Sequence, residues 1–186
     1  MRSGLSRAAG GSRAALGTIG WLGLFAGCST APRADEMVVN DLRLATSRQR
    51  VLVRVERKPT ATIAPAIDFD AAALSDAIER SIAACSTLTI VRDGAAELSL
   101  QVDVHDASMS GGLEIDVFVI AVWRLVGRDG STAWQYTAEG RGFADFGEAF
   151  WGYTRVRLAT ERACKAMISN ALSMLDRSGA TAADRR

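Results

Sequence analysis

Histidine is nearly absent from this chain. His105 is alone in 186 residues, and there are only three cysteines. A zinc or iron site normally draws several His and Cys ligands at short, regular spacings. The sequence has no H-x-x-H, H-E-x-x-H or C-x-x-C spacing, so no metal is expected. A G-x-S-x-G nucleophile elbow is also missing. Gly140-Arg141-Gly142 has no third glycine and no strand–turn–helix setting, which excludes a dinucleotide fingerprint and leaves no cofactor expected. Prolines number three, and neither proline-rich nor low-complexity segments occur. The 22 Lys and Arg nearly balance the 21 Asp and Glu. No basic tract points to nucleic acid. The apolar run Ala14–Gly27 falls short of the roughly 17 to 25 residues a spanning helix needs.

What is present is a leader. Arg2, Arg7 and Arg13 precede that apolar run, which ends in Leu24-Phe25-Ala26-Gly27-Cys28. Charge, then an apolar stretch, then small residues is the layout of an export signal. Here the small residues run straight into a cysteine, which resembles the lipobox of bacterial lipoproteins. Phe25 stands where such boxes usually carry leucine. The resemblance implies cleavage after residue 27, acylation of Cys28 and a permanent tether, because two or more chains hold firmly where one does not. Ser29 follows Cys28, and the lack of aspartate there implies the outer membrane, periplasmic face. The alternatives are an ordinary cleaved leader and a retained signal anchor.

Residues 28–186 carry 19 Lys and Arg against 21 Asp and Glu. That length suits a single domain, 38–177, between a lipidated tether, 28–37, and a loose tail, 178–186. Cys85 and Cys164 remain. An oxidising compartment permits a disulfide between them; two small buried thiols are the other reading.

Val51, Val53 and Val55 alternate with Leu52, Arg54 and Glu56, a strand pattern that Lys58-Pro59 is expected to end. Asp68 or Asp70 can cap a helix whose stripe is Phe69, Ala73, Leu74, Ala77, Ile78, Ile82 and Cys85. Strands are expected over Leu88–Val91, Glu97–Asp106 and Leu113–Val126. Arg128-Asp129-Gly130 turns the last of these into a partner strand, Thr132–Phe143. Asp145 and Glu148 have capping-box spacing, so a long helix is expected directly after them, to about Asp176. The fold class is α+β, with a mostly antiparallel four- or five-stranded sheet and two helices on one face.

His105 with Asp103 and Asp106 offers an acid–base cluster; the plainer reading is the wet side of a strand. Phe118, Ile120 and Val122, with Leu52, are the sharper candidates. They form apolar ground on the sheet face away from the helices, and such patches mark partner or lipid contacts. The competing reading covers that face with residues 38–50. Trp151 and Tyr153, near the start of the last helix, are a second candidate contact, with core anchoring the other use of at least one of them.

Gly152-Tyr153-Thr154-Arg155-Val156-Arg157-Leu158-Ala159-Thr160-Glu161-Arg162-Ala163, running into Asn170-Ala171-Leu172, looks like the closing helix of small accessory envelope lipoproteins. These include the transporter-auxiliary and lipopolysaccharide-assembly types. The resemblance implies a non-enzymatic subunit of an envelope protein complex, anchored to the membrane. A lipid or glycolipid carrier is the alternative, and an envelope hydrolase a more distant one. It transfers no ligand residues.

Overall fold

The computed structural model describes residues 31–44, 49–85, 88–92 and 96–182. The leader, Cys28 among it, lies outside the described residues.

The elements run α1 (Ala34–Met37), β1 (Arg50–Ile63), α2 (Ala71–Cys85), β2 (Thr89–Ile90), β3 (Leu98–Gly111), β4 (Ile115–Gly127), β5 (Thr132–Ala144) and α3 (Gly152–Ser178). A short 3-10 turn, Ala180–Ala182, follows. The strands make one sheet in the order β2-β1-β3-β4-β5. This is an α+β fold with its helices on one face. The sheet is mixed rather than mostly antiparallel. β1 runs parallel to both neighbours, and only β3, β4 and β5 form an antiparallel meander. The physical reason is α2. A helix between two strands carries the chain back to the starting edge of the sheet, so the next strand enters parallel.

Period-two alternation decides the core. Leu100, Val102 and Val104 of β3, and Val117, Val119, Ala121, Trp123 and Leu125 of β4, are fully buried beneath the helices. From α2, Leu74, Ala77, Ile78 and Ile82 meet them; from α3, Ala159, Ala163, Met167, Ile168 and Ala171 do. α2 starts where Asp70 caps it, its Oδ1 accepting the Ala72 N–H at 2.8 Å. α3 stops at Gly179, whose φ of +65° is the left-handed conformation that a helix end favours.

Several expectations are corrected. β1 continues through Pro59 to Ile63, because a register shift between Arg57 and Thr62 removes the ladder bond that proline could not donate. β3 extends to Gly111, past an irregularity at His105 that lies between the paired Val104 and Asp106. Asp145 and Glu148 do exchange backbone-to-carboxylate bonds, at 3.0 and 3.2 Å. They close a turn, however, and α3 begins only at Gly152, with Trp151 as a cap that offers no side-chain bond. Described residues on both sides of 38–177 pack with the domain. Ser178 belongs to α3 and Thr181 is buried. Residues 32–37 are part of the domain rather than tether: Pro32 is buried and Met37 enters the core.

Candidate functional site

The sheet face away from the helices carries Phe118, Ile120 and Val122 along β4. The described N-terminal residues do not cover it. Instead Val39 docks among the helices, its N–H donating to Ser81 Oγ at 2.9 Å. Phe118 remains 39% exposed, and Ile120 and Val122 are half-buried. Across the register, Phe118 lies between Ser108 and Arg141, Ile120 between Asp106 and Glu139, and Val122 between Asp103 and Thr137. The apolar stripe is therefore one strand wide. The Arg141 guanidinium stands over the Phe118 ring, 5.1 Å from its centroid, and donates two 2.9 Å bonds to Asp116. That pairing holds Asp116 below its ordinary carboxylate range. A shallow groove of about 190 Å³ beside Phe118 and Ile120 is walled by Glu139 and Arg141. Leu52 does not join this stripe. It aligns with Ser99 and Val126, and the Arg54–Gln101–Arg124 row separates it from Val122.

Further along the same face, Asp103 is nearly buried. One oxygen meets Lys58 Nζ at 3.1 Å and the other meets Arg124. With a cation on each oxygen, Asp103 is a structural anion between β1 and β4. His105 does not complete an acid–base cluster with it: the irregularity leaves His105 exposed, while Asp103 is turned into the ion pairs. Among the described residues, no group of three His, Cys, Asp or Glu could hold a metal.

The two remaining cysteines are free buried thiols, the second of the two readings the sequence left open. Cys85 faces the entering chain, with Sγ 3.8 Å from the Val39 carbonyl, whereas Cys164 is sealed in the core. Burial pushes the Cys164 thiol up to about 12, with the nearby Glu161 charge adding to it. Burial raises Cys85 as well, opposed by a backbone hydrogen bond at Leu42. Neither thiol suits nucleophilic work, which needs a lowered value.

A second surface lies at one end of the domain, where the β3–β4 hairpin, the end of β5 and the start of α3 meet. Phe146, Phe150, Trp151 and Tyr153 form a chain of ring contacts with centroids 5.3 to 6.3 Å apart. Trp151 is 61% exposed, Phe150 67% and Leu113, at the hairpin tip, 72%. Arg155 ties the parts together: it donates to the Leu113 carbonyl and lies 5.4 Å from the Phe146 centroid. A second clamp is Arg162, which donates to both oxygens of Glu148 at 2.8 and 2.5 Å and to the Phe143 carbonyl. This bonding pulls Glu148 down to about 2, with its Asp145 backbone bond helping, so the clamp is fully charged at neutral pH. Of this end, sequence reasoning singled out Trp151, with Tyr153 beside it as a contact or core anchor, and missed Leu113, Phe146 and Phe150. A signal was available in the density of rings, since Phe143–Tyr153 holds five of the chain's twelve aromatic residues.

No protein-family model and no curated protein sequence matches this chain. Solved structures do. The chain superposes on a Xanthomonas campestris protein described under the DUF330 family, with a TM-score of 0.58 and 13% identity, covering 78% of this chain and 93% of that one. A hypothetical protein from Chlamydia trachomatis gives a TM-score of 0.56 at 11% identity, covering 74% of this chain and all of the other. A minor lipoprotein from Acinetobacter baumannii aligns more loosely, at a TM-score of 0.42 and 10% identity over 75% of this chain and 95% of that one. The first two define the class by fold alone: a mixed five-stranded α+β domain with helices on one face.

Proposed function

We propose that this chain is a lipid-anchored protein of a bacterial envelope. It is held through Cys28 at the periplasmic face of the outer membrane, and serves as a non-enzymatic accessory or adaptor subunit of an envelope complex. The observation that carries the reading is the junction between leader and domain. Pro32 is already buried, and the Arg33 N–H donates at 2.9 Å to Glu161 Oε1, whose side chain is 3% exposed. The folded domain thus begins four residues after a lipobox-like cysteine. An adaptor also needs a surface, and the open sheet face with Phe118 and Ile120 supplies one. A carrier would need space between sheet and helices, but at Gly140 and Gly142 the backbone of α3 lies directly on β5.

Two tests follow. Metabolic labelling with an alkyne fatty acid is expected to mark the wild-type protein and to vanish in Cys28→Ser; label retained in that variant would end the anchor reading. Crosslinking in native cells followed by mass spectrometry is expected to recover a stoichiometric protein partner. Phe118→Asp is expected to lose that partner at an unchanged melting temperature, because the ring is exposed. An enriched lipid with no protein partner would move the reading to a carrier.

A further inference from the structure

All seven large hydrophobic side chains exposed among the described residues lie toward one end of the domain. Phe118 and Phe143 sit on the β4–β5 face beside it, in rows next to the hairpin, and the other five form the end itself. Such concentration exceeds the scattered exposure ordinary for a soluble surface. Around it Asp116 pairs with Arg141 and Glu148 with Arg162, while Arg155 is buried against the Leu113 carbonyl and the Phe146 ring with no carboxylate partner among the described residues. No polybasic cluster accompanies the rings. The surface therefore suits the boundary between headgroups and acyl chains, where Trp and Tyr settle with an apolar body inward and a polar tip in water, and Phe and Leu add apolar area.

The tether supplies the second, independent observation. Four residues of fully extended chain reach about 14 Å, so Cys28 stays within that distance of Pro32. Pro32 adjoins Arg33, which is fastened to Glu161 on α3. From Glu161 back to Trp151 is ten residues, or about 15 Å along a helix axis. An acylated Cys28 in a bilayer therefore holds the domain close enough for the aromatic end to touch the same bilayer. A longer linker would leave that contact optional.

We propose that the end formed by Leu113, Phe146, Phe150, Trp151 and Tyr153 is a membrane-docking face, seated in the interfacial layer of the bilayer that holds the acyl chains of Cys28. This rests on the lipid-anchor reading. Docking fixes the tilt of the domain, so the outer sheet face stands away from the lipid along a direction set by α3. Lateral ion pairing contributes little, so binding does not depend on anionic lipid.

The test uses the processed, purified chain reconstituted into zwitterionic phosphatidylcholine vesicles, with and without brominated acyl chains. The Trp151 signal is taken as the difference between wild type and Trp151→Phe, which isolates it from buried Trp123 and half-buried Trp134. Expected is a blue-shifted Trp151 emission that loses most of its intensity in brominated lipid. An emission maximum typical of water with no bromolipid quenching, in a chain whose intact mass shows acylation, overturns the proposal. A blue shift without bromolipid quenching, together with protection from aqueous acrylamide, also overturns it and assigns the face to contact with a second copy of the chain. The intact mass separates the two readings. A chain without acyl mass overturns the anchor, and bromolipid quenching on vesicles added to that chain then supports or overturns the docking face by itself.

Discussion

Gly142→Ala and Gly140→Ala are each expected to destabilise the protein by about 3 kcal/mol or more, at the upper end of what overpacking does. A methyl carbon at residue 142 would stand 1.9 Å from the Ala159 carbonyl oxygen and 2.4 Å from the Ala163 nitrogen. At residue 140 it would stand 2.0 Å from the Ala163 oxygen and 2.6 Å from the Met167 nitrogen. These neighbours are helix backbone, so no rotamer change relieves the overlap; α3 must lift off β5. Lifting it opens the core along Ala138, Ala144, Ala159 and Ala163, all fully buried. Gly112→Ala is the control, because nothing lies within 4 Å of a methyl there. Urea denaturation of the three variants checks the claim. A midpoint for Gly142→Ala matching that of Gly112→Ala would show that α3 does not touch the strand as described.

Trp123→Ala is the second large effect, expected at about 3–5 kcal/mol, the usual range for removing a buried aromatic ring. Trp123 is fully buried at the middle of β4, in register with Val102 on one side and Tyr136 on the other. Its neighbours sit on three hydrogen-bonded strands and cannot collapse into the space. Trp123→Phe is expected to lose far less, since the indole N–H makes no hydrogen bond among the described residues and mainly volume is removed. Denaturation midpoints of the two variants distinguish volume from polarity. Equal losses would assign the cost to the indole N–H instead.

Local structure was legible where one short-range signal dominated. The alternation along Leu113–Val126 marked β4 and, from Ile115 on, its inner face, because a strand buried on one side repeats every two residues; Leu113 is instead exposed before the strand begins. A cap at Asp68 or Asp70 was legible, and the structure selects Asp70, whose carboxylate serves the N–H of Ala72, two residues away. The turn at Arg128-Asp129-Gly130 was legible because Gly130 takes a φ of +80° that favours glycine. The same local reasoning failed at Asp145 and Glu148. Their mutual bonds satisfy the capping pattern fully, yet they close a turn and the helix begins only at Gly152.

By itself, the sequence determined the α+β class, the inner faces of β3 and β4 and the stripes of both long helices. Each is written in neighbouring residues, where covalent spacing and periodicity act directly. Only the tertiary structure decided the rest. It made β1 parallel to its neighbours, set Leu52 apart from Phe118, left Cys85 and Cys164 unbridged, and gathered Leu113 with Phe146, Phe150 and Trp151 at one end. It also fastened Arg33 to Glu161, 128 residues away in sequence. These pairings depend on strand order and register, which no local pattern encodes, because the partners meet only after the helices have closed over the sheet.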